Sequence, residues 1–394
     1  MKSARPQGAA LAVIALSSVV LSGRAAAEGV QFRGLGFVPG GNYSYANGVS
    51  ADGKVVVGDA GTGGVSRDAF RWTAETGMVR MGPVPGGSAS HQAFAASADG
   101  SVVAGIGVMD GRQFATRWTA QAGVVRLPDV PGEFLASGAG AISGDGSVIA
   151  GFSNPDGGEA LALWTSAGVE SIGTLRLDPT RDTGPRATGV SADGSVVVGF
   201  SHSANGLYEA LRWTRAGGMV GLGDLPGDEF YSVATAVSAD GATVVGYSRS
   251  SFGEVPFRWT EQGGMVRMGY PLGVAGPGAV GGSFGHATGV SGDGSIIVGT
   301  SSLAAGQSAT IWDAAGGTRT LQSELARLGL DLTGWSLIAA TGISPDGQAI
   351  AGAAFNPSGQ VEAFLVTGIP EPAGAVALLA VAAGVLSMRR RGAS

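Results

Sequence analysis

The sequence predicts an all-β fold, a seven-bladed β-propeller of four-stranded blades, and three observations carry that prediction. A decapeptide of the form Val-Ser-Ala-Asp-Gly-Ser-Val-Val-Val-Gly recurs seven times, and its aspartates, Asp52, Asp99, Asp145, Asp193, Asp240, Asp293 and Asp346, are spaced by 47, 46, 48, 47, 53 and 53 residues. A period of that length marks a repeat architecture. Nineteen or twenty residues after six of these aspartates stands a tryptophan (Trp72, Trp118, Trp164, Trp213, Trp259, Trp312), and Val366 takes its place in the seventh unit. A spare strand-like segment, Val30 to Gly36, precedes the first unit, whereas the seventh lacks its last strand. Period alone also fits a β-solenoid or paired sandwiches. An N-terminal strand that completes the last blade closes the ring and removes the exposed edges an open array would leave.

Taken in order, the chain opens with Lys2 and Arg5, an apolar run of 13 residues from Ala9 to Leu21, and the small residues Ala25, Ala26 and Ala27. That is a signal peptide over residues 1–27, cut at the Ala25/Ala27 site, and its apolar run is too short for a stable membrane span. The repeat domain occupies residues 28–368. In each unit Asp-Gly joins two short runs of β-branched residues, the strongest local hairpin signal because both residues accept positive φ. The tryptophan strand follows (Ala69 to Thr73, Leu211 to Thr214, Phe257 to Thr260) with apolar residues alternating with Arg, as in a half-buried strand. A Gly turn and a fourth strand such as Met78 to Gly82 complete the blade. The last two units are longer: one adds Pro271 to Gly285, the other a short helix around Leu321 to Leu330. From Ile369 the pattern ends in Pro370, Glu371 and Pro372, then 16 apolar residues from Ala373 to Met388, then Arg389, Arg390 and Arg391. The prolines stop regular structure, the apolar helix 373–388 enters the bilayer, and the arginines stay cytoplasmic by the positive-inside rule.

Composition excludes several classes. The 394 residues contain 71 Gly, no Cys, 14% charged residues and a net charge of −6. A chain without Cys has no disulfide framework, thiolate metal site or cysteine nucleophile, and its acidity argues against nucleic acid as a partner. Removing both ends takes away Lys2, Arg5, Arg24, Arg389, Arg390, Arg391 and one acid, Glu371, leaving 18 basic and 29 acidic residues, or −11.

Two resemblances follow from these residues. The tail, with Pro370-Glu371-Pro372, a short apolar helix and the Arg389 to Arg391 cluster, resembles the PEP-CTERM sorting signal of Gram-negative bacteria. That resemblance implies recognition and cleavage by an exosortase, a membrane-anchored intermediate, an address at the cell surface or extracellular matrix, and a link to exopolysaccharide and biofilm. The repeats resemble the HAF family of exported bacterial proteins. Here the His-Ala-Phe step reads Asp68-Ala69-Phe70, Glu209-Ala210-Leu211 and Glu362-Ala363-Phe364, with an acid in place of His. The family implies no chemistry of its own.

Candidate chemistry is sparse. The seven turn aspartates suggest calcium, but each turn offers one carboxylate where calcium takes six to eight oxygens, so they read as structural caps of their own turns. His91, His202 and His286 fall at different points of three units, and no P-loop, nucleophile elbow or zinc motif occurs. No metal, cofactor or catalytic residue is expected. Nine residues before the turn Asp stand Tyr43, Tyr231 and Phe284, with Tyr45, Phe134, Phe230 and Trp335 near equivalent places. On the channel-mouth face these rings read as candidate ligand-binding residues able to stack on sugars, or else as packing between blades. The expectation is a non-enzymatic binding or matrix protein. The alternatives are a polysaccharide lyase or hydrolase, which needs clustered acids or a Tyr-Arg-His set at the channel, and a purely structural envelope protein.

Overall fold

The computed structural model describes residues 29–370 apart from 62–66, 88–90, 133–135, 155–157, 176–183, 205–206, 228, 252, 272–283, 304–305 and 314–316. The signal peptide, the sorting signal beyond Pro370, Phe134 and most of the Pro271 to Gly285 insertion lie outside the described residues. No helix among the described residues is long and apolar enough to cross a membrane.

Seven antiparallel four-stranded sheets form the blades. A first strand, β1 (Gln31–Gly34), precedes blade 1, which is β2 to β5 (Tyr43–Val49, Val56–Gly61, Arg67–Thr73, Gly77–Arg80). Blade 2 is β6 to β9 (His91–Ala96, Val102–Met109, Arg112–Thr119, Gly123–Arg126) and blade 3 is β10 to β13 (Ser137–Ile142, Ile149–Ser153, Ala160–Thr165, Gly168–Gly173). Blade 4 is β14 to β17 (Arg186–Val190, Val196–His202, Tyr208–Thr214, Gly218–Gly221) and blade 5 is β18 to β21 (Ser232–Val237, Thr243–Ser250, Gly253–Thr260, Gly264–Arg267). Blade 6 is β22 to β25 (Gly285–Val290, Ile296–Leu303, Gly306–Asp313, Gly317–Thr320), followed by α1 (Leu321–Arg327), where the short helix was expected. Blade 7 takes β26 to β28 (Ser336–Ile343, Ile350–Phe355, Val361–Thr367) and is completed by β1 in the order β1-β28-β27-β26. The predicted closure is therefore the observed one, with Phe32 opposite Val366.

The decapeptide explains itself in three parts. In every unit the Ser hydroxyl donates to the Asp Oδ1 at 2.5–2.7 Å. That same oxygen accepts the backbone N–H two residues on, at 2.9–3.0 Å. The buried Ser oxygen in turn accepts the N–H five residues on, so one hydroxyl and one carboxylate satisfy the whole turn. The turn Gly is required twice over, as at Gly100: its φ is +65°, and a Cβ would lie 2.6 Å from Val55 Cβ of the preceding blade. At the closing Gly, such as Gly58 or Gly246, a Cβ would overlap the carbonyl oxygen of the innermost strand, Tyr45 or Val233, and crowd the ring of Phe70 or Phe257. That close approach arises because every innermost strand carries a bulge, for example between Ala46 and Gly48.

Each blade junction buries its own apolar cluster. Phe70, Trp72, Ala349 and Leu365 meet where blade 7 joins blade 1, and Val196, Val198, Val244 and Phe257 meet where blade 4 joins blade 5. The tryptophan register holds throughout, with Trp72 opposite Val56 and Val366 opposite Ile350. Two partial hydrogen-bonded hoops, of five links each among the described residues, tie neighbouring innermost strands together. In the first, the bulged residue reaches a carbonyl of the next blade: Asn47 Nδ2 to Ala93 O, Thr188 to Ala234 O, Thr235 to Ala287 O, Thr288 to Ala340 O and, across the closing seam, Thr341 Oγ1 to Ala46 O at 2.8 Å. The second links the residues before the turn aspartates by backbone bonds of 2.8–3.0 Å, from Ala51 to Ala98, Ala98 to Gly144, Gly144 to Ala192, Ala192 to Ala239, and Gly292 to Pro345. Pro345 has no N–H to pass the hoop on to Ala51.

Candidate functional site

The meander gives the ring two faces. One carries the Asp-Gly turns and is the turn face; the other carries the loops into the innermost strands and the hairpins between second and third strands, and is the loop face. Tyr43, Tyr231 and Phe284 stand at one register at the loop-face start of their innermost strands: Tyr43 pairs with Gly61, Tyr231 O accepts from Arg249 N, and Phe284 O accepts from Ser302 N.

Two of the three belong to one continuous aromatic run. Its ring centroids are separated by 4.9 Å from Phe200 to Tyr208, 5.9 Å from Tyr208 to Tyr231 and 6.3 Å from Tyr231 to Tyr247. Tyr247 stacks on His286 at 3.9 Å, and Phe284 lies 5.4 Å from His286. His202 joins it beside Tyr208 at 4.7 Å. The run crosses from blade 4 through blade 5 to blade 6 and is half-buried, so its rings are held by neighbours yet reach the surface. Charged groups flank it. The Arg249 guanidinium sits 4.4 Å from the Tyr231 ring centroid and pairs with Glu229 at 2.9 Å and Glu254 at 3.8 Å. Glu254 also holds His286 Nε2 at 2.8 Å. Burial, with the Tyr231 partner, pushes the Tyr247 hydroxyl up, and burial does the same for Tyr208, so both are neutral donors at ordinary pH.

Tyr43 is elsewhere. Its hydroxyl donates to Asp59, a carboxylate only 5% exposed that also accepts from Asn47 Nδ2 at 2.9 Å and faces Arg67 at 3.9 Å. Burial and this carboxylate raise the Tyr43 pKa and, beside it, that of Tyr45. In blade 1 that cluster satisfies a buried charge. Trp335 packs edge-on against Phe32 in the blade 7 core, 5.0 Å away.

The other sequence candidates resolve structurally. The seven turn aspartates are exposed, and each is engaged by its own turn; hydrogen bonds from the neighbouring Ser hydroxyls and N–H groups hold Asp99, Asp145 and Asp193 at a pKa of about 2. His91 and His286 do not converge: His91 is buried in blade 2 against Thr116, at 3.1 Å, and burial lowers its pKa to about 4. Three acids hold the fourth strand or the residues just beyond it: Asp68 accepts from Arg80 in β5, Glu209 from the Gly223 N–H two residues past β17, and Glu362 from the Gly36 N–H two residues past β1. Tyr208, Tyr247, Arg249 and Glu254 were not singled out by sequence. The available signal was the seventh residue after the turn Asp, which is Phe152, Phe200 and Tyr247 in blades 3 to 5.

These features define a seven-bladed β-propeller with an asymmetric loop face. No protein-family model matches the chain, and no curated protein sequence does. Solved structures share its fold. An oligogalacturonate lyase in complex with manganese superposes with a TM-score of 0.54 at 15% identity over 87% of this chain and 94% of that one. A structure from a study of two prolyl endopeptidases gives 0.53 at 11% identity over 84% of this chain and 51% of that one. TolB from Acinetobacter baumannii gives 0.43 at 15% identity over 68% of this chain, which spans 64% of that protein. At these identities the first two likenesses are of fold alone.

Proposed function

We propose that this protein is an exported propeller, delivered to the cell surface or extracellular matrix by an exosortase, that binds extracellular polysaccharide across its loop face without turning it over. The aromatic run from Phe200 through Tyr208, Tyr231 and Tyr247 to Phe284 carries the reading, because successive half-buried rings flanked by Arg249 and Glu229 offer stacking surfaces and polar partners to successive sugars. The signal peptide, Pro370-Glu371-Pro372 and Arg389 to Arg391 supply the address. Retention of the exported protein on the producer's exopolysaccharide tests it: Tyr231→Ala should weaken retention about fivefold, the loss of about 1 kcal/mol of stacking, and Tyr43→Ala should leave it unchanged. Equal retention of Tyr231→Ala and the parent contradicts the site. For the address, mass spectrometry of the exported chain should find a C-terminus near Pro370; an intact Arg389 to Ser394 tail contradicts sorting by cleavage.

A second reading is favoured by one observation. Tyr247, Arg249 and His286 come together with Glu254, the Tyr-Arg-His set that an eliminating polysaccharide lyase needs. In it Arg249 neutralises a uronate carboxylate, His286 takes the C5 proton, the C4=C5 double bond forms as the C4–O bond breaks, and Tyr247 gives its proton to the departing glycosidic oxygen. Ultraviolet absorbance of an unsaturated product from polyuronate, lost in His286→Asn, distinguishes turnover from binding.

A further inference from the structure

The two ends that lead to the apolar runs leave the ring side by side. β28 runs from the loop face to the turn face and β1 runs back beside it, with Gln31 opposite Thr367. Residues 30 and 368 therefore both stand at the turn face of blade 7. Both ends are also held there. The Ile369 N–H donates to Gln348 O, just past the Asp346 turn, at 3.2 Å. Ile369, 7% exposed, belongs to the blade 7 core, and Val30 packs against the same cluster.

Chain length then sets which way the ring points. The apolar run 373–388 begins four residues after Ile369, at most about 14 Å away. Before signal cleavage the other apolar run, Ala9 to Leu21, ends nine residues before Val30, at most about 32 Å away. With β28 aimed along the blade at this exit, a bilayer that takes up residue 373 meets the turn face first. The loop face stands about 20 Å further out, the length of the six residues of β27. The turn-face side of the rim suits that neighbour. Val79, Val125, Val220 and Val266 are 46–56% exposed, two residues in from their turn-face hairpins, and each lies opposite an arginine of the third strand. An apolar side chain beside a long cation that reaches for polar groups fits a headgroup layer.

We propose that, while residues 373–388 anchor the exported chain, the turn face of blade 7 is seated toward the bilayer and the loop face, with its aromatic run, is directed away from it. The inference rests on the reading of 373–388 as an anchor. The anchored chain is then a tether with lipid on one side and polymer on the other, and cleavage near Pro370 frees the ring together with whatever polymer the loop face holds.

The chain has no Cys, so single cysteines report the orientation. Gln348→Cys lies on the turn face and Ser358→Cys on the loop face of the same blade, both at exposed positions. The exported chain, produced from the full-length gene in a host without an exosortase, is labelled with bimane and placed in lipid nanodiscs whose headgroups carry a nitroxide quencher. The label at Gln348→Cys should lose most of its emission, and the label at Ser358→Cys should keep it. A flexible Gly/Ser linker of about 20 residues inserted after Ile369, with a reach of about 25 Å, should restore the emission at Gln348→Cys. Equal emission from the two labels, stronger quenching at Ser358→Cys, or a linker that changes nothing overturns the orientation and leaves the anchor standing. A chain that does not enter the discs overturns the anchor, and the inference with it.

Discussion

Replacing Gly100 by Ala tests whether the Asp-Gly turns lock the blades together or merely reverse the chain. Gly100 has φ +65°, and its added Cβ would lie 2.6 Å from Val55 Cβ and 2.9 Å from Val55 Cγ1. Val55 is 4% exposed and belongs to blade 1, so the clash falls on a branched, packed neighbour of another blade. Gly123 provides the control within the same blade: its φ is +67°, but nothing lies within 4 Å of a Cβ there. Both substitutions incur the left-handed cost of about 1–2 kcal/mol, and both gain about 0.4–1 kcal/mol from a stiffer unfolded chain. Only Gly100→Ala adds overpacking, about 1–3 kcal/mol. Chemical denaturation followed by tryptophan fluorescence should therefore place Gly100→Ala about 1–3 kcal/mol below Gly123→Ala. If the two unfold within about 0.5 kcal/mol of each other, the turn is not an inter-blade contact and the packing argument fails.

Three further outcomes follow from the same structure. Thr341→Val removes the bond to Ala46 O across the seam and should cost about 1 kcal/mol, with faster amide exchange in β1 and β28 than Thr235→Val causes at the blade 5 and 6 junction; equal exchange in the two variants would refute a special role for the seam. Deleting residues 29–36 strips β1 from β28 and should yield concentration-dependent association in light scattering, because an unpaired strand edge is exposed; a stable monomer would show the closing strand to be dispensable. Stability should fall in two steps on acidification. His91 has a folded pKa of about 4 against an ordinary 6.5, so the unfolded chain binds its proton first and stability is lost as pH drops from 6.5 towards 4. Asp99, Asp145 and Asp193, held at about 2 against 3.8, lose their contribution below that, from 3.8 towards 2. A pH series of thermal melts should show His91→Gln flattening the first step alone.

Much of this architecture is legible in the sequence because the repeat exposes it. Asp-Gly at a fixed interval places the hairpins, the tryptophan offset sets the third strand, and Val366 at the seventh offset, with Val30 to Gly36 left over, gives the closure. The bulge escapes a period-two reading, since one extra residue in the innermost strand shifts no spacing between aspartates. Its trace was Thr five residues before Asp193, Asp240, Asp293 and Asp346, with Asn47 before Asp52. The loop-face site is harder to read. Tyr231 and Phe284 were visible at one offset, but what makes them a surface is Tyr208, Tyr247 and His286, contributed by hairpins and neighbouring blades whose proximity no linear interval encodes. The same offset also selected Tyr43, whose environment is decided by Asp59, a residue that six other units replace with Ile, Phe, Phe, Tyr, Thr and Ala.

The backbone hoop at the turn face sets the bore of the ring. Were all seven steps spaced like the five hydrogen-bonded ones, at about the 4.8 Å of neighbouring strands, they would enclose a circle with a radius of roughly 5.5 Å to backbone centres. Atomic radii and the methyl groups of Ala51, Ala98, Ala192 and Ala239 narrow it further. Water and small ions pass such an aperture; a sugar polymer does not. A glycan that meets the loop face has to lie across it like a cable over a drum, never through it, and the two faces remain separate compartments for any chain longer than a single sugar.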